Sequence, residues 1–304
     1  MAGTVTTGAI AFIGFGEAAE AFLSGWRSEP GFAAKVAAYD IKTDSLDLAV
    51  REAKRADYVR MKVVGAASAP QAVAHAPAVF SLVTADQAHA AALAALPGLA
   101  PGALFFDCDS CAPQTKARTA EAVERAGGRY VDVAVMAPVH PRLHRTPLLI
   151  SGPRAAAAVP TLAGLGMAVK LHDGPVGSAS AVKMIRSIMM KGLEALVAEC
   201  VLAGTKAGVI DEVLDTLDDT YPGFDWKKRS AYMMERVMTH GVRRAAEMRE
   251  VALTVDLLGL DSALSRASVE WQQRIGELGL RVSADEAADY RRLADRILAQ
   301  LATQ

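Results

Sequence analysis

Cysteine is scarce: Cys108, Cys111 and Cys200 are the only three in 304 residues. That excludes a disulfide framework and suits a reducing, cytoplasmic setting. Charge of one sign is also lacking. The formal net charge of -1 argues against a dedicated nucleic-acid or anionic-membrane partner. No apolar run is clean enough to span a bilayer, because Pro97 and Pro101 interrupt the alanine-rich stretch after Gln87. The N-terminus has no basic segment leading into an apolar one, so no secretory signal is expected. Neither an internal repeat nor a low-complexity linker is present. What remains is 52% hydrophobic residues, a globular composition with enough chain for one large or two ordinary domains.

The first informative stretch is Thr7 to Ile13, short and apolar, which predicts a buried parallel strand. It runs into Gly14-Phe15-Gly16-Glu17-Ala18-Ala19 and then into a helical pattern. Strand, glycine-rich turn and helix form the context of the dinucleotide fingerprint. Gly14 permits the tight turn, Gly16 admits a pyrophosphate to the backbone, and Ala19 is the small residue for helix–strand packing. The amides and dipole of the helix N-terminus, reached through Phe15, Glu17 and Ala18, suit the phosphates. A second strand, Lys35 to Tyr39, ends on Asp40, near the spacing of an acid that binds the adenosine ribose. Asp40 repels a 2′-phosphate and so favours NAD. Lys42 and Thr43 beside it partly offset that and leave NADP open.

The alternation continues. Val59–Val64, Ala78–Val83, Leu104–Asp107, Tyr130–Val135, Leu148–Ser151 and Ala168–His172 read as strands, with helical patterns among them. Repeated βα alternation predicts a mostly parallel sheet covered by helices, a Rossmann-type α/β domain over residues 1–174. Residues 175–304 read as helices only, an all-α second domain. Ligands of such sheets bind beyond the carboxyl ends of the strands. Three loops lie there: Val83-Thr84-Ala85-Asp86, Asp107 to Pro113, and Met136 to His144. Val83 and Thr84 are expected beside the cofactor.

The helix Val176–Gly204 opens the second domain. Apolar residues at Val182, Ile185, Met189, Leu193, Leu196 and Cys200 recur at steps of three or four, as expected of a packing face. A polar stripe, Lys183, Ser187 and Lys191, occupies i, i+4 and i+8 and projects from one side.

Taken together, the GxGxxA turn, the Asp107-x-x-Ser110-x-x-Pro113 loop, the VD strand within Tyr130–Val135, and Gly177-Ser-Ala-Ser-Ala-Val-Lys183 resemble the β-hydroxyacid dehydrogenases. That superfamily includes 3-hydroxyisobutyrate and 6-phosphogluconate dehydrogenases. The likeness covers essentially the whole chain. His240 to Glu250 is similar to a subgroup whose C-terminal domain has no assigned function. The resemblance implies that Lys183 is the general acid/base, that Ser110 fills the [ST] position, and that the protein is a homodimer.

Chemistry agrees with the role implied for Lys183. Oxidising an alcohol requires hydride loss from carbon and proton loss from oxygen. A lysine in a partly desolvated cleft beside another cation can take that proton near neutral pH. Lys191 could supply the neighbouring charge or hold a substrate anion.

The departures from the family bear on substrate. Ser187 stands where the family usually has Asn, and offers one donor in place of two. Met136-Ala137-Pro138 replaces a Ser-Gly-Gly turn, and Glu247-Met248 lies where a Lys-Asp pair is common. A larger or less anionic hydroxy compound than the two named substrates is therefore expected.

The function expected is hydride transfer between a nicotinamide cofactor, NAD or NADP, and a hydroxy acid or related small alcohol. Lys183, Ser187 and Ser110 are the catalytic candidates. Ser110, Met136, Lys191 and His240 are the substrate-binding ones. Arg142, His144, Arg145, Arg243 and Arg244 can each bind a carboxylate or simply be solvated. Imine reduction and a nucleotide-binding sensor without turnover are the competing readings. No metal site is expected, since Cys108-x-x-Cys111 has no second ligand pair and Pro141 breaks any helical face shared by His140 and His144.

Overall fold

The computed structural model describes residues 8–303, so Thr7, where the first strand is expected to open, lies outside them. The chain divides into two compact units, residues 1–184 and 185–304. The division falls inside a helix, past the turn at which the sequence suggests the second domain starts.

The first unit holds an eight-stranded sheet, built among the described residues from β1 (Ala9–Ile13), β2 (Lys35–Tyr39), β3 (Val64–Gly65), β4 (Ala78–Ser81), β5 (Leu104–Asp107), β6 (Arg129–Val135), β7 (Leu148–Ser151) and β8 (Val169–Leu171). Their spatial order is β3-β2-β1-β4-β5-β6-β7-β8. Every neighbouring pair is parallel except β6 with β7. Strand order reverses direction from β1, so the ends of β1 and β4 flank a switch point, where a ligand crevice forms.

The central strands are buried on both faces, which explains their uninterrupted apolar runs. Alternate residues feed opposite cores. Phe12, Phe80 and Phe106 pack with Trp26 on one side, and Ala11, Val79 and Phe105 with Tyr130 on the other. Helices α1 (Glu17–Ser28), α2 (Leu48–Arg60), α3 (Ala69–Val73), α4 (Ala88–Ala95), α5 (Pro113–Arg125) and α6 (Ala155–Gly164) belong to the same unit.

The strand expected over Val59–Val64 is mostly something else. Helix α2 runs through Arg60, and only Val64–Gly65 pairs, on the sheet edge. The Asp47 carboxylate starts that helix by accepting from the amides of Ala49 and Val50. Lys62 at φ 44 then turns the chain. Val59 is left on an exposed face at 79% exposure.

Helix α7 (Ser178–Ala207) begins in the first unit and ends in the second. The second unit continues with α8 (Ile210–Thr220), α9 (Trp226–Leu257), α10 (Ala263–Gly276) and α11 (Tyr290–Leu301). Its core joins Val197, Val201, Leu214, Met234, Val237, Ile275, Leu293 and Ile297. Helices α9 and α10 meet at two glycines. A Cβ on Gly241 would stand 2.3 Å from the Gln272 carbonyl oxygen, and one on Gly276 2.4 Å from the Val242 nitrogen. Only hydrogen at both positions allows that approach, which carries Gln272 to α7.

The faces of α7 are the reverse of a simple amphipathic reading. Ile185, Met189 and Leu196 of the apolar stripe are 49%, 69% and 63% exposed. Ser187, Lys191 and Glu194 are buried.

Candidate functional site

The fingerprint turn is shaped as its sequence requires. Gly14 sits at φ 78, and a Cβ there would meet the Leu82 carbonyl oxygen at 2.5 Å. Its N–H donates to the Tyr39 carbonyl at 2.8 Å. Gly16 caps α1 in extended conformation without any side-chain cap, and a Cβ there would meet nothing within 4 Å. Uncapped amides beside open space are what a pyrophosphate needs, so the turn fits a dinucleotide. The side chains around it contribute unequally. Phe15 is fully buried against Phe12 and Tyr58, so only its backbone faces the turn. Glu17 is exposed in the first helical turn, where its negative charge adds nothing for a phosphate, and Ala18 is half-buried.

Asp40 ties the turn to the second strand. One carboxylate oxygen accepts from the Phe15 amide at 2.9 Å and the other from the Lys42 amide at 3.0 Å. Each oxygen keeps acceptor capacity for a ribose hydroxyl. The loop after β4 presents Thr84 to solvent, while the Val83 amide is engaged at 2.6 Å with an Asp109 carboxylate oxygen.

The loop after β5 meets the start of α7 through a lysine and a serine. Lys183 Nζ donates to Ser110 Oγ at 2.6 Å, and both residues are half-buried. Two elements bring them together: Ser110 belongs to the Asp107–Pro113 loop, and Lys183 to the second turn of α7. Helix α7 is held at its start by Asp132 at the centre of β6. Asp132 Oδ2 accepts from the amides of Gly177 at 3.0 Å and Ser180 at 3.2 Å and from Ser151 Oγ at 2.9 Å, and Oδ1 accepts from Ser180 Oγ at 2.6 Å. A carboxylate on a helix N-terminus satisfies orphan amides and complements the dipole.

Behind this lies a buried charge group that sequence reading missed. Register pairs Asp107 of β5 directly with Asp132 of β6. Lys116, one turn into α5, lies 2.8 Å from Asp107 and 3.6 Å from Asp132, with its side chain fully buried. Burial opposes the Lys116 charge, but Asp107, Cys111, Asp132 and Asp109 outweigh it and push its pKa up. Tyr130 Oη donates to Asp107 at 2.6 Å. Asp109 is buried too, 2.6 Å from Ser81 Oγ. Burial first, then the Asp107 charge, pushes its carboxyl up to about 8. The only sequence signals for this group were an acid at the end of β5 and another in the middle of β6.

Other candidates fall elsewhere. Met136 is half-buried against Ala134, Leu149 and Ala179, and its amide is spent on the Pro147 carbonyl at 2.9 Å. His144 is buried and meets Glu29 at 2.9 Å, with Arg145 2.6 Å from the same carboxylate oxygen. Those two residues of the β6–β7 loop therefore anchor it to α1. Cys108 and Cys111 are both buried, and burial pushes the Cys108 thiol up, away from the thiolate that redox chemistry uses. In the second unit Lys191 Nζ bonds Ser187 Oγ at 3.0 Å and Glu247 at 2.8 Å. His240 on α9 is half-buried.

Comparison with known proteins gives the chain its relatives. Residues 9–168 match the family described as the NAD binding domain of 6-phosphogluconate dehydrogenase. Residues 205–275 match a domain of unknown function, DUF1932. A 3-hydroxyisobutyrate dehydrogenase of Pseudomonas aeruginosa is 29% identical over 170 residues, 53% of this chain and 56% of that protein. The chain thus matches little more than half the length of its curated relatives. A conserved hypothetical protein from Sinorhizobium meliloti 1021 is 35% identical, covers 98% of both chains and superposes with a TM-score of 0.69. The Mycobacterium tuberculosis 3-hydroxyisobutyrate dehydrogenase structure with L-serine, at 15% identity, 96% and 99% coverage and a TM-score of 0.67, shares the fold.

Proposed function

From the premise that the chain belongs to the family of the 6-phosphogluconate dehydrogenase NAD binding domain, joined here to DUF1932, we propose that it is an NAD(P)-dependent dehydrogenase of hydroxy acids or related small alcohols. The observation that carries this reading is the 2.6 Å contact of Lys183 Nζ with Ser110 Oγ, in the same unit as the fingerprint turn.

Gly14, Gly16 and the first amides of α1 would hold the pyrophosphate, and Asp40 the adenosine ribose. The nicotinamide supplies a hydride acceptor in oxidation and a hydride donor in reduction. In the oxidative direction the substrate C–H leaves as hydride, and its O–H proton passes to the neutral amine of Lys183. The carbonyl product and an ammonium result. In the reductive direction the Lys183 ammonium returns the proton to the carbonyl oxygen. Ser110 accepts from the ammonium and so fixes where Nζ stands. Ser187 and Lys191, one and two turns further along α7, are the substrate-positioning candidates, with Met136 and His240. Asp40 favours NAD over NADP.

The exposed apolar side of α7, with Ile185, Met189 and Leu196, supports the homodimer as the working assembly. A solution mass near the 32.0 kDa of one chain counts against it.

The reading is tested by following NADH and NADPH oxidation with a panel of carbonyl acids and aldehydes, wild type against Lys183→Met. Turnover by wild type and its loss in the folded variant are expected. No turnover of any carbonyl compound favours a nucleotide-binding protein without chemistry.

A further inference from the structure

The helical unit carries a second cluster of charge, away from its apolar core. Arg236, His240, Arg243 and Glu247 recur along α9 at steps of four, three and four, and Arg244 follows His240 by four, so they share a side of the helix. Helix α7 meets them with Lys191 and Glu194, both buried. Arg244 pairs with Glu194, Lys191 with Glu247 at 2.8 Å, and Arg243 approaches Glu247 at 3.8 Å. Gln272 of α10 donates to Glu194 at 3.4 Å and to the Lys191 carbonyl at 3.3 Å.

Charge in this cluster does not balance. Lys191, Arg236, Arg243 and Arg244 are four cations, and Glu194 and Glu247 are two carboxylates. Two positive charges are left over. The donors do not balance either. Arg236 Nε and Arg244 Nε are both buried with no hydrogen-bond partner among the described residues. Buried donors without acceptors are costly, and like charges on one helix face add to that cost. His240 sits among them. Burial, then Arg236, Arg243 and Arg244, pushes its imidazole down to about 4. It is therefore neutral near pH 7 and still offers a ring donor and acceptor. Arg243, at 44% side-chain exposure, keeps the cluster open to solvent.

A surplus of guanidinium groups with spare N–H donors matches one ligand chemistry, an oxyanion, whose paired oxygens fit the guanidinium fork. We propose that Arg236, His240, Arg243 and Arg244 form an oxyanion site of the helical unit, which binds a carboxylate or phosphate group. Binding of the anion here does not depend on the dehydrogenase reading above.

The test uses the full-length protein and two probes, inorganic phosphate and acetate, titrated separately by calorimetry near neutral pH and at low ionic strength. Saturable binding of at least one probe is expected. Arg236→Gln and Arg243→Gln should each weaken it roughly tenfold or more, and Arg243→Lys, which keeps charge but loses the fork, should weaken it less. Arg55→Gln, exposed on α2 and paired with Glu52 at 3.0 Å, should bind as wild type. Preference for phosphate assigns a phosphorylated ligand to the cluster, and preference for acetate a carboxylate. If wild type shows no saturable binding of either probe, or both glutamine variants bind as tightly as wild type, the site does not exist. Should Arg236→Gln fail to fold, Arg243→Gln decides alone. Lys183→Met separates the two readings. Full turnover in that variant overturns the proton-transfer role and leaves the anion titrations standing, whereas unchanged titrations in the arginine variants overturn the anion site and leave Lys183 in place.

Discussion

Lys183 Nζ stands 2.6 Å from Ser110 Oγ, an ammonium donating to a hydroxyl carried by the loop after β5. Asp132 fixes one end of this relationship by capping the start of α7. Lys116 fixes the other through its contacts with the Asp107 side chain at 2.8 Å and its carbonyl at 2.6 Å. Two loops and a helix are thus tied to one buried group of charges.

Replacing Lys183 by Met removes the proposed proton acceptor and leaves the surrounding packing. The expected loss is about 10²–10⁴ in kcat, with little change in the thermal midpoint. Steady-state oxidation of NADH or NADPH with the best substrate measures it. Retained turnover rules out Lys183 as the acid/base.

Lys116→Met should act on stability first. It leaves Asp107 and Asp132 buried and facing each other across neighbouring strands. Breaking a buried pair on one side costs about 3–5 kcal/mol, a drop in thermal midpoint on the order of 10 °C. Calorimetry or circular dichroism reads it directly. A midpoint within 2 °C or so of wild type would show that the group relaxes or hydrates.

Asp109 predicts a pH dependence. Its folded carboxyl lies at about 8, above the ordinary value of 3.8, so the native state binds the extra proton between those limits. Stability from this group is complete below the ordinary value and is lost as pH rises towards 8. Asp109→Asn mimics the neutral form, so its thermal midpoint should lose less than that of wild type from pH 5 to pH 8.5. Parallel pH profiles for the two proteins would contradict the assignment.

Asp40 should set cofactor preference. Asp40→Ser removes the charge that disfavours a 2′-phosphate and frees the Phe15 and Lys42 amides. The affinity ratio of NADPH to NADH is expected to rise roughly tenfold, about 1.4 kcal/mol. Fluorescence titration with each nucleotide decides it, and an unchanged ratio removes Asp40 from cofactor selection.

Much of this was local enough to be legible in the chain. The fingerprint turn is a strand, a glycine pair and a helix in sequence, and Gly14 takes the positive φ its position demands. The βα alternation declared the sheet, because central parallel strands are buried on both faces and read as apolar runs. Lys183 was singled out as a candidate through a motif confined to one helix turn and its approach. The strand at Val59–Val64 was misread because a β-branched segment at the end of a helix has the composition of a strand until its partner is known.

Tertiary packing decided the rest. Periodicity located two stripes on α7, but not which would be covered: Ser187 and Lys191 became buried because α9 supplies Glu247. Phe15, inside the fingerprint, turned its ring into the core. The Asp107–Lys116–Asp132 group exists only because β5 and β6 pair in one register, and no spacing along the chain encodes that. Sequence specifies each strand's pattern and each local turn. Which distant charges meet depends on register and close packing, which are properties of the folded chain alone.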